Sequence, residues 1–107
     1  MSESISLDEF AQLRSSSEPV VVDIRRAVDF AADPEMIPGA RRGDPDAIDG
    51  WSADLPKDSE IVVYCVRGGS VSQSVTPRLR ALGLNVHYLA GGITAWKQSG
   101  GKTNPQS

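Results

Sequence analysis

Two uninterrupted apolar runs punctuate the chain, Val20-Val21-Val22-Asp23-Ile24 and Ile61-Val62-Val63-Tyr64-Cys65. Neither alternates apolar with polar positions, and β-branched residues dominate both, the pattern of strands buried on both faces of a parallel sheet. Val86-His87-Tyr88-Leu89 reads as a third strand. Helical spacing fills the intervals. Ser6-Leu7-Asp8-Glu9 is a capping box, and Leu7, Phe10, Ala11 and Leu13 carry a helix to about Ser15. Ala27 to Ala32 are helix-compatible up to Pro34, and Ile37-Pro38-Gly39-Ala40 reads as a turn into a short extended piece. Asp44 caps a brief helix toward Trp51, with its aspartates on a solvated face rather than at metal-ligand spacing. After a turn at 56–59 and the second strand, Val71 to Leu82 form a helix through Val71, Val75, Leu79 and Leu82, closed by Gly83. Pro77 should kink or shorten it. Ala90-Gly91-Gly92 is a tight turn, Ile93 to Gln98 a last helix expected to bury Trp96, and Gly100 to Ser107 has the composition of a frayed tail.

Strands alternating with helices over 107 residues describe one α/β domain, 1–107, with its core at about 5–100 and no repeat or linker. Composition narrows the partners. Eleven basic against fourteen acidic residues leave a net charge of −3, which provides no footprint for nucleic acid or an anionic membrane. No apolar run approaches a membrane span, and Met1-Ser2-Glu3-Ser4 does not resemble a secretory leader, so a cytoplasmic protein is expected.

The single cysteine, Cys65, can neither close an intramolecular disulfide nor build a multi-thiolate metal site. It ends a strand, and the carboxyl ends of strands are where α/β folds place their sites. Val66-Arg67-Gly68-Gly69-Ser70-Val71 follows, and then a helix. The glycines allow successive backbone N–H groups to turn inward, and the helix start adds its positive dipole, so residues 66 to 71 should form an anion-binding nest. Such a field, with Arg67 inside it, favours a thiolate nucleophile. A buried structural cysteine before an ordinary turn is the competing reading.

Here the chain resembles the single-domain rhodaneses, the thiosulfate sulfurtransferases. The resemblance covers about residues 5 to 100 and rests on four elements in the same order. Val20 to Arg25, with Phe30 following, is similar to the family's apolar strand and Asp-x-Arg signature. Ile37-Pro38-Gly39-Ala40 is similar to its Ile-Pro-Gly-Ala segment, with Met36 in place of a histidine. Cys65 to Val71 resembles the active-site loop, and Leu89-Ala90-Gly91-Gly92 with Trp96 and Gly100 the closing signature.

The resemblance implies a mainly parallel five-stranded sheet flanked by helices, and a sulfurtransferase that needs no metal or organic cofactor. Cys65 would take sulfane sulfur from a donor such as thiosulfate, carry it as a persulfide, and pass it to cyanide or a thiol. Val66, Arg67, Gly68, Gly69, Ser70 and Val71 would bind the donor, with Asp23 and Arg25 as structural support and His87 outside the chemistry. With no second cysteine, the acceptor must come from outside, as a small nucleophile or a sulfur-relay protein. The loop departs from the family in one respect: Ser70 stands where an arginine is common, and the loop arginine is Arg67. A cysteine-based phosphatase or arsenate reductase would instead place an arginine at Val71. A noncatalytic binding module and a persulfide carrier are the remaining alternatives.

Overall fold

The computed structural model describes residues 4–105. The elements are β1 (Ser4–Ile5), α1 (Leu7–Ser17), β2 (Val20–Asp23), α2 (Ala27–Ala32), β3 (Glu35–Met36) and β4 (Arg41–Arg42). A 3₁₀ turn (Pro45–Ala47), α3 (Ile48–Ser52), β5 (Glu60–Tyr64), α4 (Ser70–Ala81), β6 (Asn85–Leu89), α5 (Gly92–Gln98) and β7 (Asn104–Pro105) complete it. Five strands form one sheet in the order β1-β6-β5-β2-β4. Every pairing in it is parallel, so the expected α/β sheet is present with five strands.

The unbroken apolar runs become strands covered on both faces. Val22 and Ile24 with Ile61, Val63 and Val86 pack toward Val75 and Leu79 of α4. Val21, Val62, Tyr64 and Leu89 pack on the opposite side against Phe10 and Ile93. A period of two along β5 therefore sends Ile61, Val63 and Cys65 to the α4 face. The cysteine's direction follows from strand alternation.

The capping box at Ser6 and Glu9 forms as expected, and α1 runs to Ser17. Asp44 caps the 3₁₀ turn through the Asp46 amide at 2.8 Å. Gly83, at φ +88°, closes α4, its N–H reaching the Arg80 carbonyl at 3.0 Å while Leu84 N–H reaches Leu79 at 3.4 Å.

Three expectations need correction. Pro77 does not shorten α4, which spans twelve residues through it. The carbonyl it deprives of a donor belongs to exposed Gln73, which water can serve, and buried Val75, Thr76 and Leu79 hold the helix to the sheet. The inward face of α4 is Ser72, Val75, Thr76 and Leu79, whereas Leu82 is 48% exposed. In α5 it is Ile93 that is buried, while Trp96 stays partly exposed in an edge-on contact with Phe10, ring centroids 5.6 Å apart.

The segment expected to fray from Gly100 also has order in its described part. Gly101 N–H returns to the Trp96 carbonyl at 2.9 Å, Trp96 Nε1 donates to Lys102 O at 2.8 Å, and β7 pairs antiparallel with β3. Gln106 and Ser107 lie outside the described residues. No helix among the described residues is long and apolar enough to cross a membrane.

Candidate active site

Cys65 leaves β5 at its carboxyl end, and its carbonyl and that of Val66 accept hydrogen bonds from Ile93 and Thr94, each at 3.0 Å. The start of α5 thereby fixes both peptides. Because a trans peptide points its N–H opposite its C=O, the Val66 and Arg67 amides face away from α5. Gly92 makes this approach possible: at φ +60°, a Cβ there would lie 2.4 Å from the Cys65 carbonyl oxygen. Gly68, at φ +71°, sits against the same turn, where a Cβ would stand 3.0 Å from Gly91 N. Gly69 then caps α4, and Gln73 ties the loop back through its backbone N–H to Gly69 O at 3.0 Å and its Nε2 to Gly68 O at 3.2 Å.

The loop walls a cleft of about 330 Å³. Cys65, Val66, Arg67, Gly69, Ser70 and Val71 line one side, and Arg25, Arg26 and Asp29 the other. Gly68 is buried beneath the loop instead of lining it. The first-turn amides of α4, from Ser70 onward, have no carbonyl to meet within the helix, and the helix dipole makes this wall electropositive. Cys65 is 4% exposed and lines this cleft.

Among the described residues, Ser72 is the one hydroxyl bonded to that sulfur, donating to Sγ at 2.9 Å from a fully buried position on α4. Sequence reasoning passed over it. The signal was the i, i+3, i+4, i+7 set Ser72, Val75, Thr76 and Leu79, masked because two of its members are polar. Arg26 and Asp29 were missed as well; Arg26 is the N-cap of α2 and Asp29 lies in its first turn, a short helix that carries no buried residue to fix its orientation from sequence.

Asp23 and Arg25 support the wall and do not form the nest. The Arg25 guanidinium meets the Asp23 carboxylate through Nε at 3.0 Å and Nη2 at 2.7 Å, with the two side chains 2% and 0% exposed. Its remaining donors reach the carbonyls of Asp33 and Glu35, both at 2.7 Å, so one buried ion pair anchors the chain leaving α2. Arg25 also lies over the Phe30 ring, 5.0 Å from its centroid. Tyr64, in register with Asp23 on the neighbouring strand, accepts the Ile37 N–H at 3.1 Å. Burial and the Asp23 charge push its phenol well above the ordinary value, so it stays neutral. His87 stands outside the cleft on β6, its Nδ1 3.4 Å from Arg80 Nη2.

Comparison with known proteins matches these features to one group. The Rhodanese-like domain profile aligns with residues 6–99. A sulfurtransferase of Allochromatium vinosum is 34% identical over 90 residues, 83% of this chain and 81% of the relative. Among solved structures, a rhodanese-like domain protein from Staphylococcus aureus superposes with a TM-score of 0.80 at 29% identity, covering 100% of both chains. A rhodanese-related protein from Thermoplasma volcanium does so at 0.82 and 21% identity, over 96% of this chain and 98% of its own, a likeness of fold. With the profile spanning sheet, cysteine loop and closing helix alike, the chain belongs to the rhodanese-like domain family.

Proposed function

We propose that this domain is a sulfurtransferase that carries sulfane sulfur as a persulfide on Cys65, with thiosulfate as one usable donor. The observation that carries the reading is the placement of Cys65 Sγ at a cleft walled by the α4 N-terminus, with the Ser72 hydroxyl on the sulfur at 2.9 Å. In the first half-reaction the Cys65 thiolate attacks the outer sulfur of thiosulfate. A new S–S bond forms, the donor's S–S bond breaks, and sulfite leaves with the electron pair. In the second, cyanide or a thiolate attacks the terminal sulfur and Cys65 leaves as the thiolate, so no external oxidant or reductant enters. Ser72 and the first-turn amides of α4 supply donors to the sulfur anion in both halves. Val71 occupies the position where oxyanion-clamping phosphatases need an arginine, which favours sulfur over phosphorus chemistry.

Incubation with thiosulfate followed by its removal should leave the protein heavier by one sulfur atom, located on Cys65. Cys65→Ser should gain none and lose all thiosulfate:cyanide activity while keeping its thermal unfolding transition, since the hydroxyl is similar in size but is not a comparable nucleophile. Activity surviving in a folded Cys65→Ser protein would overturn the assignment.

A further inference from the structure

The cysteine side of the cleft is anchored by α4 and α5, but its other side hangs on one aromatic ring. Arg26 and Asp29, which line the cleft with Cys65, are the N-cap and a first-turn residue of α2. No residue of α2 is buried: Ala27, Val28, Asp29, Ala31 and Ala32 are exposed, Val28 to 72%, and Phe30 is half-buried. A helix of six residues cannot hold itself by its own hydrogen bonds, so its place depends on its ends and on the side chain it turns inward. The ends are tied to each other, because Arg25 Nη1 donates to the Asp33 carbonyl at 2.7 Å. Between them, Phe30 is the one α2 side chain with a charged or aromatic partner among the described residues.

Those partners are two cations fixed independently of the ring. Asp23 sets both: its carboxylate pairs with Arg25, and its carbonyl accepts from Arg42 Nη1 of β4 at 3.0 Å. The Arg25 and Arg42 guanidiniums lie over the Phe30 ring, 5.0 and 4.8 Å from its centroid. The negative face of an aromatic ring attracts both groups, which an aliphatic side chain of similar bulk would not do. Phe30 does not line the cleft itself, so any influence on Cys65 passes through α2. Resting on the sulfur-transfer reading above for its donor, we propose that Phe30 is a positioning residue: its ring, docked on Arg25 and Arg42, holds α2 so that Arg26 and Asp29 narrow the way to Cys65 and Arg26 serves a compact anionic donor. With the ring undocked the wall loosens, bulky reagents gain access to the thiol, and a small anion loses its grip.

Phe30→Leu removes the ring face and keeps an apolar side chain, whereas Phe30→Tyr keeps the face. The first readout is the rate at which Cys65 is labelled by fluorescein maleimide relative to iodoacetamide. Phe30→Leu should raise that ratio about fivefold, and Phe30→Tyr should restore it to the parent value. The KM for thiosulfate should rise about fivefold in Phe30→Leu with kcat within about twofold, since Ser72 and the cysteine loop are untouched. Thermal unfolding establishes that each variant is folded. Arg42→Gln approaches the same stack from β4 and should raise the labelling ratio in the same direction with Phe30 in place. A labelling ratio unchanged in both Phe30→Leu and Arg42→Gln overturns the proposal, as does a Phe30→Tyr protein that behaves like Phe30→Leu. Should thiosulfate leave no sulfur on the parent protein while the labelling ratio still follows the ring, the sulfur-transfer reading falls and the positioning role of Phe30 stands.

Discussion

A serine seven positions after the cysteine gives the site a donor that comes from the helix and not from the loop. Ser72 is fully buried and its hydroxyl is committed to Cys65 Sγ, so removing it leaves the sulfur one hydrogen bond short. Hydrogen bonds to charged groups are the stronger kind, and Ser72→Ala should therefore slow sulfur loading and alkylation of Cys65 about tenfold. Stability should change far less, because the lost hydroxyl leaves a small apolar side chain and no unpaired polar partner apart from the thiol. Loading rates compared with the denaturant midpoint check this. A rate equal to that of the parent protein would mean that the backbone amides alone hold the sulfur. Tyr64 offers a second residue-scale test, through pH. Its phenol is raised above the ordinary 10.0 by burial and by the Asp23 charge. An acid held neutral in the fold contributes stability that is fully present below pH 10 and is lost as pH rises toward its folded value. The alkaline limb of the stability curve should therefore be shallower in Tyr64→Phe, at the cost of about 1–3 kcal/mol at neutral pH for the buried Ile37 N–H left without its acceptor.

The start of α5 closes directly on the cysteine loop. Gly92 allows the Ile93 and Thr94 amides to grip the Cys65 and Val66 carbonyls, and a methyl group there would overlap the Cys65 carbonyl oxygen. Gly92→Ala should destabilise the fold by about 1–3 kcal/mol and reduce sulfur loading of the protein that remains folded, because the loop must move to make room. Equal loading per folded molecule would show that the loop is held by other contacts. The glycine pair before this helix was legible as a tight turn, but its contact with the cysteine loop was not, since the two lie far apart along the chain. Legibility elsewhere followed length. β2 and β5 announce themselves as β-branched runs and β6 as a short, mostly apolar one, and the Gly83 stop and the Ser6 capping box follow from local chemistry. By contrast β1, β3, β4 and β7 have two residues each, too few for any period, and Arg41–Arg42 has no apolar position at all. α4 was placed in the chain correctly and Val75 and Leu79 face the core as expected, but Ser72 and Thr76 also point inward while Leu82 points out. The closing segment was misread because its polar composition conceals backbone bonds to Trp96 and β3.

At the scale of the molecule, the last described residues join the site's support. β7 pairs with β3, whose Glu35 carbonyl is one of the Arg25 acceptors, and the Thr103 hydroxyl donates to the Glu35 carboxylate. Lys97 of α5 adds an ion pair to Asp33, whose carboxyl it holds below the ordinary range, and Asp33 supplies the other Arg25 acceptor. The cleft wall behind Arg25 is thus braced from both α5 and β7. The two edges of the main sheet have a different consequence. β1 and β4 are each two residues long, and β4 is a pair of arginines. A free edge this short offers an incoming chain only a couple of unpaired amides and carbonyls, and on the β4 side it meets the same edge of another copy with like-signed charge. Strand addition between copies is therefore disfavoured at both edges, and contact between molecules brought to high concentration falls to their side chains.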